Sequence, residues 1–529
     1  MLNKFLTFSD SAKYAEVARN LVNGLGYRSK FNFWSDQIFG SLKNLFGQPW
    51  TPPIMPFSIA SFFKIFGVTD FAVIATSFFY FILTLIFVFL LAKKIFKSNL
   101  VGALSTLAIG FNYDLIVYAT SGASEAPFIF EIVAATYFVS LRKKWANFFV
   151  ILLLVLMYFT RPTAFIYIAG IILYWLLINL KTKKAVIYFA VIGIVGLLID
   201  RLVLIPLSGK YFLYSITGRA LSSSFNQSSV ASDALRSSTA SVSGTIIQTL
   251  KNVFYNLYNF FKLLPQIMSP YLFALFVIGL FRWGKDKVQN SFKISSIFMV
   301  AVTFLVVAAS IPFFRYIHPV VPLIYIIAVG TLVEIINKFQ ETKLQTNSNL
   351  PSSEGRQISK KTFLVLGSCI LVLLFGVGQT IGVLTLDSRF EASTHNVGKT
   401  PVYVALSQIL KANTNSSDVV VTNLDTWGSW YGDRKTVWFP LEPSQLIDPA
   451  TGKIPFDSIY LTSYLIDDSN YYMGTDWRMI FNNPTDSKKW TCDGCGEISK
   501  EFKLKGVYSV PAGGDYERQD EKAVLLIKK

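Results

Sequence analysis

The residues best placed to do chemistry are acids and arginines at the ends of long apolar runs. Arg161 and Arg315 each sit where an apolar run begins or ends. A guanidinium fork there suits a phosphate, and a cation that stays at such depth without an anion is costly. Glu125 opens another run with no lysine near it in sequence. It can serve as an acid or hold an acceptor; it can also be a helix N-terminal carboxylate favoured by the dipole. Tyr316 and His318 follow Arg315 and can assist it, although a histidine beside Pro319 also suits a structural role. Asp114 near a run end is a third acid, while Glu131 and Asp200 fall inside runs, where an acid is expensive and has no assigned role here. Asp10 opens an amphipathic stretch reaching Leu21, a position that by itself reads as a helix N-cap. Two histidines leave no His cluster, and one or two carboxylates hold a hard cation loosely, so metal-independent chemistry without a cofactor is expected. Gly24-Leu25-Gly26 lacks the strand context of a nucleotide loop.

The elements that must position these groups are membrane helices. The chain has 529 residues, 52% hydrophobic and 15% charged, with a mean hydropathy of +0.45. That charge cannot cover the surface of several soluble domains, and the composition excludes disorder and a small disulfide scaffold. Ten apolar runs approach the roughly 20 residues a bilayer helix needs: 71–92, 99–119, 125–141, 145–160, 163–180, 185–206, 268–283, 294–312, 316–336 and 361–386. The net charge of +17 gathers in clusters between alternate runs, such as Lys93, Lys94 and Lys97, or Arg142, Lys143 and Lys144. This distribution argues against nucleic acid and for a multi-pass protein of the cell membrane, with those clusters cytoplasmic. The loop 207–267 and everything after 386 then lie outside the cytoplasm, as do the turn at 120–124, Arg161 and Arg315. The same count puts residues 1–70 outside as a juxtamembrane arm with nothing apolar to carry it there, so a leading helix is expected upstream.

Within the loop, 208–245 is Ser-rich, and 246–266 has the spacing of an interfacial helix. The region 387–529 has a soluble composition. Short strands are expected at 417–423, 435–440, 456–464, 503–511 and 522–529, with a helix over 401–413, giving a small extracytoplasmic α/β domain. Cys492 and Cys495 form a single C-x-x-C without a second pair, which favours a local disulfide over zinc; Cys369 lies in an apolar run. Trp50-Thr51-Pro52-Pro53-Ile54-Met55-Pro56 is a stiff turn feeding a short apolar segment that ends at Gly67.

In this order the pieces resemble the GT-C superfamily of membrane glycosyltransferases, which includes protein O-mannosyltransferases and the aminoarabinose transferase acting on lipid A. Four signals carry the resemblance. Asp10, Tyr14, Ala18, Asn20 and Leu21 precede Gly24 and Gly26; Pro52-Pro53 and Pro56 precede Phe66-Gly67; Ser124-Glu125-Ala126-Pro127 precedes Thr160-Arg161-Pro162-Thr163; and Arg315-Tyr316-Ile317-His318-Pro319 opens a late run. In the tail, Tyr431 to Pro440 is similar to a strand and turn of bacterial relatives. The chain departs from the family in three places. The sequence starts after the helix with which the family usually opens, Ser11 stands where many relatives have a second acid, and Thr51 stands in place of the lysine of the aminoarabinose branch.

The resemblance implies transfer of one sugar, hexose or pentose, from a polyprenyl phosphate to an acceptor hydroxyl on a glycan, lipid or protein at the outer membrane face, with inversion. It makes Asp10 the base that takes the acceptor proton and Glu125 a second acid or acceptor-binding group. Arg161, Arg315 and Tyr316 would hold the lipid phosphate as it leaves, with Tyr14, Asn20, Asp114 and His318 in support. A transporter or flippase for a lipid-linked sugar is the alternative, although such proteins tend to show an internal repeat that is not evident here. A membrane scaffold presenting the tail is a third reading. Trp427-Gly428-Ser429-Trp430 is only a faint echo of the Trp-Trp-Asp pattern of oligosaccharide transferases.

Overall fold

The computed structural model describes residues 4–32, 51–199, 202, 246–309, 312–346, 367, 400–424, 426–466, 473–512 and 520–529. All of the expected span 361–386 but residue 367, with Cys369, Asp200 and most of the loop 207–267, falls outside these residues. The arm holds α1 (Ser9–Val22) and α2 (Ile54–Phe66), and a helical core follows. Its helices are α3 (Asp70–Phe96), α4 (Asn99–Gly110), α5 (Tyr113–Ala119), α6 (Glu125–Ser140), α7 (Lys144–Thr160), α8 (Ala164–Asn179), α9 (Thr182–Ile199), α10 (Ile246–Lys262), α11 (Pro270–Leu280), α12 (Lys287–Ala309) and α13 (Val321–Thr346).

Among the described residues, α3, α12 and Phe314–Lys338 are long and apolar enough to cross a membrane. Two expected spans differ from a simple rod. The run 99–119 breaks into α4 and α5, bent by 70°, because Asn112 restarts the helix by accepting a hydrogen bond from the Leu115 amide at 3.1 Å. Counted as one bent span, this pair makes a fourth. The run 268–283 yields only the 11 residues of α11, about 16 Å of helix, because Pro270 fixes its start just after a 3-10 turn. The helices α2, α7 and α8 are also apolar and short.

Packing in the core is close. The helix α3 lies between α4 and α6, α11 packs on α13, and α12 packs on α8. Approach is close where Gly330 of α13 meets the ring of Phe96, which leaves no room for a Cβ.

The tail forms the α/β domain expected from its pattern. The helix α14 (Val402–Asn413) and the single turn α15 (Trp427–Trp430) pack with a six-stranded sheet, and α16 (Thr475–Asn482) and α17 (Cys495–Glu501) follow. The strands are β1 (Phe31–Asn32), β2 (Val419–Thr422), β3 (Lys435–Trp438), β4 (Ser458–Thr462), β5 (Phe502–Val510) and β6 (Glu521–Lys528), in the order β1-β3-β2-β4-β6-β5. The first four in that order are parallel, and β6 and β5 join antiparallel. The strand β1 belongs to the arm: Phe31 pairs with Thr436 on the sheet edge. Two residues are too few to show a strand period in sequence. One apolar cluster joins Ala12, Ala15 and Ala18 of α1, Ile59 and Phe63 of α2, Val73 of α3, and Leu406, Val420, Trp427 and Tyr460 of the tail. Arm, core and tail therefore share a single buried seam. Cys492 and Cys495 are joined by a disulfide.

Candidate functional site

Four helix or span ends place four charges in one cluster. Asp10 stands in the first turn of α1, and Glu125 is the first residue of α6. Arg161 is the residue at which α7 stops, its backbone extended (φ −150°, ψ 146°) ahead of Pro162. Arg315 sits on a 3-10 turn, Phe314–Tyr316, just before α13. Its Nη2 donates to Asp10 Oδ2 at 2.7 Å and its Nε donates to Glu125 Oε1 at 2.9 Å. Arg161 Nη1 lies 2.6 Å from the same Glu125 oxygen. Glu125 thus holds two arginines through one atom, and among the described residues its Oε2 makes no hydrogen bond.

Burial grades this cluster. The side chains of Glu125 and Arg161 are 1% and 7% exposed, whereas those of Arg315 and Asp10 are 29% and 45% exposed. The inner pair is a fixed electrostatic base; the outer pair can be reached from solvent. Tyr316 faces both guanidiniums, its ring centroid 5.3 Å from Arg161 Cζ and 5.7 Å from Arg315 Cζ. Tyr14, one turn along α1 from Asp10, shares a 3.1 Å hydrogen bond with Ser124 Oγ, which also accepts from Arg161 Nη1 at 3.3 Å. Burial, then the Asp10 charge, pushes the Tyr14 phenol well up, so it stays a neutral hydroxyl. Ser124 lies in the quoted Ser-Glu-Ala-Pro turn but had no role in the sequence reading.

The turn before Ser124 packs over the start of α1. Gly122 has φ +76°, and a Cβ there would lie 2.6 Å from Val73 Cγ1 and 3.3 Å from Ser11 Cβ. Ser11 is fully buried under this turn.

The remaining candidates fall elsewhere. His318 is buried, with its Nδ1 at the Tyr118 hydroxyl and its Nε2 3.6 Å from Asp114 Oδ2. These three groups form a separate set behind the Arg315 turn. Asn20 does not reach the cluster; its Nδ2 donates to Glu16 Oε1 and to the Arg28 carbonyl, closing the end of α1. Burial drives the Glu16 carboxyl upward against its hydrogen bonds from the Lys30 backbone, Ser29 and Asn20. Thr51 accepts through its carbonyl from the Tyr27 hydroxyl. Glu131 lies deeper along α6 and accepts from Thr160 Oγ1 at 2.8 Å. Trp427 to Trp430 is a docking turn: Trp430 Nε1 and the Tyr431 hydroxyl donate to the two oxygens of Asp70, each at 2.8 Å. Asp70 and Arg19, which both meet this turn, were not singled out by sequence; their partners lie some 360 to 411 residues away.

Residues 50–203 match the family described as dolichyl-phosphate-mannose-protein mannosyltransferase. No curated protein sequence matches the chain. Among solved structures, the fold is similar to a crystal structure of ArnT from Cupriavidus metallidurans bound to undecaprenyl phosphate, with a TM-score of 0.50 and 12% identity over 99% of this chain and 94% of that one. The apo crystal structure of the same protein gives 0.50 and 13% over the same shares. At such identities the likeness concerns the fold.

Proposed function

We propose, on the support that the family match and the shared fold give to the GT-C superfamily, that this chain is a membrane glycosyltransferase using a polyprenyl-phosphate sugar. It moves one sugar to an acceptor hydroxyl at the extracytoplasmic face. The observation that carries this reading is that Arg315 bridges Asp10 and Glu125, residues separated by more than a hundred positions in sequence, at 2.7 and 2.9 Å.

Each group has a task in that reaction. The leaving phosphate carries charge that fixed cations must receive. Arg161 is held by the buried Glu125 and is part of the frame. Arg315, more exposed and joined to Asp10, can exchange that partner for the lipid phosphate, with the Tyr316 ring beneath both arginines. The exchange frees Asp10 to accept the proton of the acceptor oxygen as it attacks the anomeric carbon from the face opposite the phosphate, with inversion. Water, lipid and the two acids suffice for these steps, and no metal is invoked. The undecaprenyl phosphate in the similar crystal structure supports a lipid phosphate as the donor's carrier.

The test is Asp10→Asn in cells lacking the native gene, read by mass spectrometry of surface glycans and by binding of undecaprenyl phosphate to the purified protein. Loss of the sugar increment with binding retained supports the assignment. Normal glycans in the variant overturn it.

A further inference from the structure

We propose that the Thr426–Tyr431 turn of the tail domain is a clamp that sets where Asp10 stands opposite Arg315, which makes Thr426, Trp430 and Tyr431 positioning residues for the transfer. The inference rests on the reading of Asp10 given above.

The start of α1 has no side-chain cap. Phe8 occupies the N-cap and supplies no side-chain hydrogen bond. The tail supplies bonds to the backbone there. Thr426 Oγ1 donates to the carbonyl of Ser9, the residue before Asp10. The Leu6 amide donates to the Tyr431 hydroxyl at 3.0 Å, and the Leu6 carbonyl accepts from the Tyr403 hydroxyl at 2.8 Å. Further along α1, Arg19 donates to the carbonyls of Ser429 and Trp430 at 2.8 and 3.0 Å and stacks on the Trp430 ring at 4.8 Å.

The same turn grips the membrane core. Its Trp430 Nε1 and Tyr431 hydroxyl take both oxygens of Asp70, the first residue of α3, and the Trp430 ring stacks on Phe63 of α2. The helix α3 packs along α6, which begins with Glu125. The turn therefore joins the helix that carries Asp10 to the helix that supports Glu125. A single hydroxyl, that of Tyr431, touches both sides. Just past the turn the backbone packs back on it, since a Cβ at Gly432 would meet the Gly428 carbonyl oxygen at 2.4 Å. Displacing a reacting group by about 1 Å can cost on the order of a hundredfold in rate, so a clamp one residue from Asp10 bears directly on turnover.

The experiment uses the full chain in detergent and in complemented cells, with Thr426→Val, Tyr431→Phe and the double variant. Three quantities are read: hydrogen exchange over residues 4–22, binding of undecaprenyl phosphate, and the surface-glycan increment. The clamp requires that exchange in the double variant speed up about tenfold or more, that binding stay within about twofold, and that transfer fall about tenfold or more. Thr426→Ser, which keeps the hydroxyl, must restore transfer. Unchanged exchange, or faster exchange with undiminished transfer, overturns the proposal. Where the double variant fails to fold, Thr426→Val alone carries the same criteria. Normal transfer by Asp10→Asn refutes the base, and with it the positioning role, whereas faster exchange in the clamp variants then shows docking alone.

Discussion

Replacing Glu125 by Gln tests the electrostatic frame directly. The substitution keeps the shape and one acceptor but removes the charge that Arg161 Nη1 meets at 2.6 Å and Arg315 Nε at 2.9 Å. The two arginines are not equivalent. Arg315 is 29% exposed and retains Asp10, and water can screen what it loses, so its share is about 0–1 kcal/mol. Arg161 is nearly enclosed and is left as a buried cation without its counter-ion, a change that costs about 3–5 kcal/mol. Because Gln still offers a carbonyl oxygen, the lower end, about 3 kcal/mol, is expected. In a cooperative unit of roughly 150–250 residues, that corresponds to a fall in Tm of roughly 6–12 °C. Thermal unfolding in detergent, followed by tryptophan fluorescence, measures it. The decisive arm is Glu125→Gln combined with Arg161→Met. Removing the orphaned cation should make the double variant more stable than the two single losses predict, with a coupling of about 1.5–3 kcal/mol. A Tm for Glu125→Gln within a degree of the parent, or strict additivity in the cycle, refutes the reasoning that the inner pair is a buried charge couple.

Arg315→Ala should weaken undecaprenyl phosphate binding about tenfold or more, the value of a charged hydrogen bond, with little change in Tm; equal binding by titration rejects Arg315 as a phosphate ligand. Gly122→Ala places a methyl 2.6 Å from Val73 Cγ1 at φ +76°, and should cost about 1–3 kcal/mol, visible as a lower Tm and faster exchange in α1. Asp433 supplies a pH test. Burial pushes its carboxyl up, but the Lys30 hydrogen bond with the Arg19 and Lys30 charges outweighs this and holds it below its ordinary 3.8. A depressed carboxylate contributes stability that is complete above its unfolded value and lost as pH falls through the folded one. Docking of the arm should therefore loosen below about pH 3.8, and hydrogen exchange at residues 27–32 should show the loss; in Asp433→Asn this acid-side step disappears.

How far the site could be read from sequence depends on the kind of signal. Arg161 and Arg315 stood out because cations at membrane depth on the lysine-poor side are improbable without an anion, and each has one in the structure. Asn20 sat in the same motif as Asp10, yet it serves the end of its own helix, since a motif reports order along the chain and not which face of α1 a side chain occupies. Asp70 was one more acid before an apolar run until Trp430 and Tyr431 arrived on its two oxygens. Trp427 to Trp430, in sequence only a faint echo of a sugar-transfer pattern, has its aromatics engaged in packing and with Asp70.

Composition and periodicity by themselves determined the classes of element. Apolar runs demand helices because lipid satisfies no free backbone group, and alternating short strands in a polar tail demand a sheet. The break at Asn112, the two-residue strand β1 and the shared partner of the two arginines were decided only in three dimensions. The reason is physical: periodicity is set by neighbours three or four residues away, whereas a salt bridge or an edge strand is set by whichever distant backbone the packed seam brings within about 3 Å.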